Sequence, residues 1–236
     1  MADPTPDDVR RHVENQRRAY ESGLRAVTAL FAAVLGFGLR ELLDPKKLPV
    51  AELPLSQWGH LAIFIIAVTL FARFIIGSAI HATFEHIRKP TLSPYLLLTD
   101  IAFISMYGII GLAMCYATSL SMMLYLAAII CAVAAVWWVV DAGVRWVLSE
   151  RRGSKQGPLG AWHHFLILDV ISGVFYAWGA CMLSAPAKCR DTEHFGVSGC
   201  EAILWEFALG SCVVLLVDLA LQLRAVHLVK APVDAA

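Results

Sequence analysis

Charge is what this sequence is short of. Only 16% of its 236 residues are Asp, Glu, Lys or Arg, against about 25% in soluble domains. The 19 basic and 19 acidic side chains cancel to a formal net charge of zero. A neutral chain lacks the basic surplus that holds nucleic acid, so nucleic acid is not an expected partner. Catalytic signatures are absent as well. There is no Gly-x-Ser-x-Gly, no His-Glu-x-x-His, no Cys-x-x-Cys and no phosphate-binding glycine loop, and no enzymatic activity or cofactor is expected. No apolar segment carries arginine at every third position, which excludes a voltage sensor. The longest stretch outside the apolar blocks is the N-terminal one, at about 23 residues too short for a soluble domain. Charged residues precede the first apolar run, so no cleavable leader is expected.

What the chain does have is hydrophobic residues, 58% of the total, gathered in long blocks of the kind that cross membranes. Six spans are expected, at 24–43, 58–80, 95–117, 121–148, 162–184 and 202–224. The fold class is therefore all-α, a polytopic membrane protein. Residues 1–23 form a cytoplasmic or juxtamembrane helix, 24–226 the six-helix transmembrane domain and 227–236 a tail. Pro6-Asp7-Asp8 reads as the start of that N-terminal helix, with acids in its first turn.

Basic residues set the expected orientation. Arg10, Arg11, Arg17, Arg18 and Arg25, then Arg88 and Lys89, then Arg151, Arg152 and Lys155, then Arg224 and Lys230 all fall on one side. The positive-inside rule makes that side cytoplasmic, with both termini there, in a cell (inner or plasma) membrane. Cys189 and Cys200 bracket a polar, turn-rich loop on the opposite side, where an oxidising exterior permits a disulfide. Cys115, Cys131, Cys181 and Cys212 lie within or at the edges of spans and read as small packing residues.

The second span holds the feature that the others must accommodate. Arg73 lies inside an apolar run from Leu61 to Ile80, about 10 Å from its nearer end. An arginine there costs about 2.5–3.5 kcal/mol on insertion scales unless it finds a partner. Thr69, Arg73, Gly77, His81 and Glu85 recur every fourth residue and form one polar stripe. Counter-charges are available: Asp100, Asp141, Asp169 and Asp218, one in each of the last four spans and all in the cytoplasmic third. Arg145 sits four residues after Asp141, in pairing distance along one helix. Tyr107 and Tyr176 each follow an aspartate by seven residues on the same face. Ser172 shares the face of Asp169, while Ser211, Asp218 and Gln222 share a face of the last span.

Three readings of this constellation compete. Asp100–Tyr107 and Asp169–Tyr176, each followed one helix later by Asp141 and Asp218, form a weak parallel repeat of two hairpins. Carboxylates around Arg73, with His81 near them, make a vestibule for a small ion or proton, so the leading function is a channel or proton-linked transporter, expected as a homo-oligomer in the bilayer. The alternative is a non-transporting sensor, anchor or subunit of a larger membrane complex, in which the charges only lock helices. His81, His86, His163 and His164 also allow a haem-binding cytochrome, although no metal is expected. Six spans in a short chain resemble the prokaryotic six-helix relatives of the lysosomal potassium channel. That family carries Phe-Ser-Asp in its first helix, whereas this chain has Ala29-Leu30-Phe31-Ala32-Ala33, so neither pore residues nor selectivity carry over.

The orientation is directly testable. An epitope tag placed between Ser149 and Gly160 is expected to be reached by antibody only after the cell is permeabilised, and one between Cys189 and Cys200 before it. The opposite pattern would invert the assignment.

Overall fold

The computed structural model describes residues 57–82, 94–152, 163–184, 193–194 and 197–230, with isolated positions between 14 and 40. Five helices have defined bounds: α1 (Gln57–Ala82), α2 (Pro94–Cys115), α3 (Leu120–Arg152), α4 (His163–Leu183) and α5 (Cys200–Lys230). The described positions between 14 and 40 are helical too, and Arg18 donates to Glu14 at 2.8 Å on an exposed face. Most of the expected N-terminal helix and of the 24–43 span lies outside the described residues.

Four helices are long and apolar enough to cross a membrane: Trp58–Ser78, Leu120–Val144, His163–Leu183 and Cys200–Leu223. The apolar part of α2, Thr99–Cys115, is shorter. At 1.5 Å per residue α3 is about 50 Å long, against a hydrocarbon core of about 30 Å, so its end beyond Val144 continues past the apolar window. The burial pattern agrees with a membrane-spanning reading. On α4, Asp169, Ser172, Tyr176 and Gly179 are buried, while Ile167, Ile171, Val174 and Trp178 are exposed. On α5, Ser211, Asp218 and Gln222 are buried and Leu209, Val213 and Leu216 exposed. Water would reverse this arrangement; lipid produces it. This is a multi-pass membrane protein.

Local chemistry sets the helix ends. Tyr116 to Ser119 joins α2 to α3, and so short a link makes them antiparallel neighbours. Ser119 Oγ accepts from Met122 N at 3.2 Å, the N-cap bond that starts α3. Ser184 Oγ donates to Cys181 O at 2.8 Å and satisfies a carbonyl at the end of α4. Before α5, a two-residue antiparallel ladder pairs Glu193 with Ser198 and His194 with Val197. Gly199 then takes φ 71°, a turn that only glycine makes without strain, and the helix begins. Cys200, its first residue, is disulfide-bonded; its candidate partner Cys189 lies outside the described residues.

The helices pack in the spatial order α2, α3, α4, α5, α1, with the broadest contacts between α3 and α4 and between α1 and α5. Phe74 of α1 and Tyr107 of α2, with ring centroids 5.0 Å apart, close the circuit. Residues of α1 face residues of α5 at one constant offset, Arg73 to Asp218 and Gly77 to Gln222, so these two helices run parallel. A Cβ on Gly77 would lie 3.3 Å from Gln222 Nε2, which shows how closely they approach.

Between α4 and α5 the packing is reciprocal. Phe207 of α5 sits where a side chain on Gly179 would be, and Phe175 of α4 sits where one on Gly210 would be. The two rings touch, with centroids 4.4 Å apart. Gly179→Val and Gly210→Val are each expected to destabilise the protein by about 1–3 kcal/mol through overpacking. Gly143→Ala, with nothing within 4 Å of the new methyl, should be neutral or stabilising. Unfolding midpoints in detergent would measure the difference.

Candidate functional site

The described part of the stripe on α1, Thr69 and Arg73, points into the bundle. Thr69 returns its hydroxyl to its own helix, donating to Ile65 O at 2.7 Å. One turn later Arg73, 4% exposed, reaches between α4 and α5. Its Nη2 donates to Asp169 Oδ1 at 2.6 Å, its Nε to Asp218 Oδ2 at 3.2 Å and its Nη1 to Ser172 Oγ at 3.0 Å. All three nitrogens are therefore engaged, and the Phe74 ring centroid lies 5.6 Å from Cζ.

Each partner is itself held. Ser172 has one proton and donates it to Leu168 O at 2.6 Å, which leaves its oxygen to accept from Arg73. Asp169 Oδ2 accepts from the Trp138 indole at 3.0 Å. Gln222 Nε2 donates to Asp218 Oδ2 at 3.2 Å. Seven residues beyond Asp169, Tyr176 lies 2.8 Å from Ser211 Oγ. Ser211 donates its single proton to Phe207 O at 2.7 Å, so Tyr176 is the donor of that pair. These groups come from α1, α3, α4 and α5, which the chain brings to one height.

Beside the cluster is a cavity of about 40 Å³. Arg73, Asp169, Asp218 and Gln222 line its polar side, and Tyr107, Trp137, Trp138 and Phe165 its aromatic side. Two buried polar atoms there have no hydrogen-bond partner: Tyr107 Oη and Gln222 Oε1. One guanidinium faces two carboxylates, so with both ionised the cluster has a surplus negative charge.

The remaining candidates are placed as follows. Asp100, also buried, accepts from the Trp137 indole at 3.1 Å on the other side of α3 and does not line the cavity. Asp141 is buried on α3 without lining it. Arg145 and His81 lie in α3 and α1, with side chains outside the described residues. His163 and His164 are exposed, with rings 3.9 Å apart. No group of three metal-binding side chains occurs among the described residues. The sequence reading missed the indoles of Trp137 and Trp138. Their signal was an adjacent pair in an apolar helix, where an N–H donor needs an acceptor.

Removing Arg73 leaves two buried carboxylates without their counter-charge. Arg73→Met is expected to cost about 3–5 kcal/mol, and adding Asp169→Asn and Asp218→Asn should recover part of that loss. Unfolding midpoints in detergent would read both. An Arg73→Met protein as stable as the parent would show the cluster to be unimportant for assembly. No protein-family model, curated protein or solved structure matches this chain.

Proposed function

We propose that this membrane protein is a small-cation or proton-linked transporter, acting as a homo-oligomer, whose exchange site is the cluster of Arg73, Asp169 and Asp218. The observation that carries this reading is the surplus carboxylate beside a polar cavity, in a bundle whose outer surface is apolar. A surplus charge away from water must be neutralised by something that enters, and a proton or a small cation does so. Tyr107 and Gln222, each with an unpartnered atom, offer such a species hydrogen bonds that the protein itself leaves unmade.

Ionisable groups inside a membrane domain are costly, and ion paths and proton relays are among the roles that retain them. Here the relay would be short. Asp169 and Asp218 hold the exchanged species, and Arg73 keeps their carboxylates fixed between exchanges. Tyr176 and Ser211 lie farther along α4 and α5, hydrogen-bonded to each other on the same buried faces.

A second reading has its own support. Arg73 uses all three nitrogens on protein atoms, which is how a purely structural lock is built. A non-transporting sensor, anchor or complex subunit would need only that.

Flux through proteoliposomes separates the two. The parent protein should dissipate an imposed proton or cation gradient above the rate of empty vesicles. Asp218→Asn removes a charged partner worth about 1.5–3 kcal/mol, and flux should fall by about tenfold or more. Asp141→Asn, outside the cavity, should leave most of it. Background flux for the parent across protons, sodium and potassium would favour the structural lock.

A further inference from the structure

We infer that the cavity beside Arg73 binds a small ammonium-type cation, either ammonium itself or a primary amine the size of methylammonium. This rests on the exchange reading above and names the class of cation exchanged.

The first argument is charge and hydrogen-bond inventory. Arg73 occupies Asp169 Oδ1 and Asp218 Oδ2, and Trp138 occupies Asp169 Oδ2. Asp218 takes both of its hydrogen bonds at Oδ2, which leaves Oδ1. Gln222 Oε1 and Tyr107 Oη are without partners, on residues only 3% and 4% exposed. Three residues that line one cavity therefore each keep an unused acceptor, one of them on a carboxylate, which matches in number the three N–H donors of a primary ammonium group. With both carboxylates ionised, the surplus charge of the cluster matches its single positive charge.

The second argument is the rest of the wall. Phe74, Tyr107, Trp137, Trp138 and Phe165 all line the cavity. Both indole N–H groups are engaged elsewhere, Trp137 on Asp100 and Trp138 on Asp169. The tryptophans therefore bring rings to the cavity and no free donor that would oppose a cation. Aromatic walls attract weakly hydrated cations. A bare alkali ion gives up its hydration shell only to a full set of oxygens, and a wall so rich in rings does not offer one.

Size admits the class without narrowing it. The cavity, about 40 Å³, exceeds the ~10–15 Å³ that a single water needs by the same measure, so ammonium and methylammonium both fit. The N–H count makes the class narrower, because a quaternary ammonium has none for the three acceptors.

The test uses the full-length protein in lipid nanodiscs at constant chloride concentration. Ammonium, methylammonium, potassium, sodium and tetramethylammonium chlorides are titrated in turn. Binding is followed by calorimetry and by tryptophan fluorescence, since Trp137 and Trp138 line the cavity. Ammonium and methylammonium should bind saturably. Potassium should bind about tenfold more weakly or worse, and tetramethylammonium not at all. Tyr107→Phe and Gln222→Leu should each weaken ammonium binding by about tenfold, with elution profile and helix content unchanged. If either variant fails to fold, the ion comparison on the parent protein still decides.

Potassium binding as tightly as ammonium, or no saturable ammonium binding, would overturn the inference. Proton flux without ammonium binding would overturn it and leave the transport reading intact. Ammonium binding without any flux would uphold it and remove the transport reading.

Discussion

A guanidinium that cannot reach water must be surrounded, and the rest of the bundle follows from meeting that need. Arg73 takes an acceptor from α4 through Asp169 and Ser172 and from α5 through Asp218. Hydrogen bonds of 2.6–3.2 Å tolerate little sliding, so three helices share one height. The parallel run of α1 and α5 is the visible result: Arg73 meets Asp218, and one turn on Gly77 clears space for Gln222. Ordinary hydrophobic attraction would not fix that register, because lipid is as apolar as the helix faces.

The third helix serves two acids at once. Adjacent indoles of α3 reach in different directions, Trp137 to Asp100 on α2 and Trp138 to Asp169 on α4. The two flanking helices thus present equivalent aspartates to one helix between them. Past the aspartates the likeness ends. Tyr176 finds Ser211, whereas Tyr107 is left with an unpartnered hydroxyl beside the cavity. A hydroxyl buried without a partner is costly, and here it belongs to a residue that lines the cavity.

Helical spacing makes part of this legible in the sequence. Thr69, Arg73 and Gly77 share a stripe, and Asp169, Ser172 and Tyr176 share a face, because three, four and seven residues return to one side of a helix. The buried faces of α4 and α5 carry those residues. Spacing is silent about neighbours across the chain. Nothing local says that Arg73 meets Asp169 and Asp218 rather than Asp100 or Asp141, since this depends on which helices pack, over separations of 96 and 145 residues. The indole donors are only partly legible: two adjacent tryptophans in an apolar helix need acceptors, but spacing does not say which carboxylate each one meets. The small cavity is a property of five helices together and has no sequence signal.

The interlock of α4 and α5 limits how this protein can rearrange. Each helix seats a phenylalanine in the other's glycine notch, so neither can slip lengthwise without driving a ring into backbone. The pair is a fixed wall. A rearrangement of the bundle that involved this pair would have to tilt or part the two helices rather than shift their register.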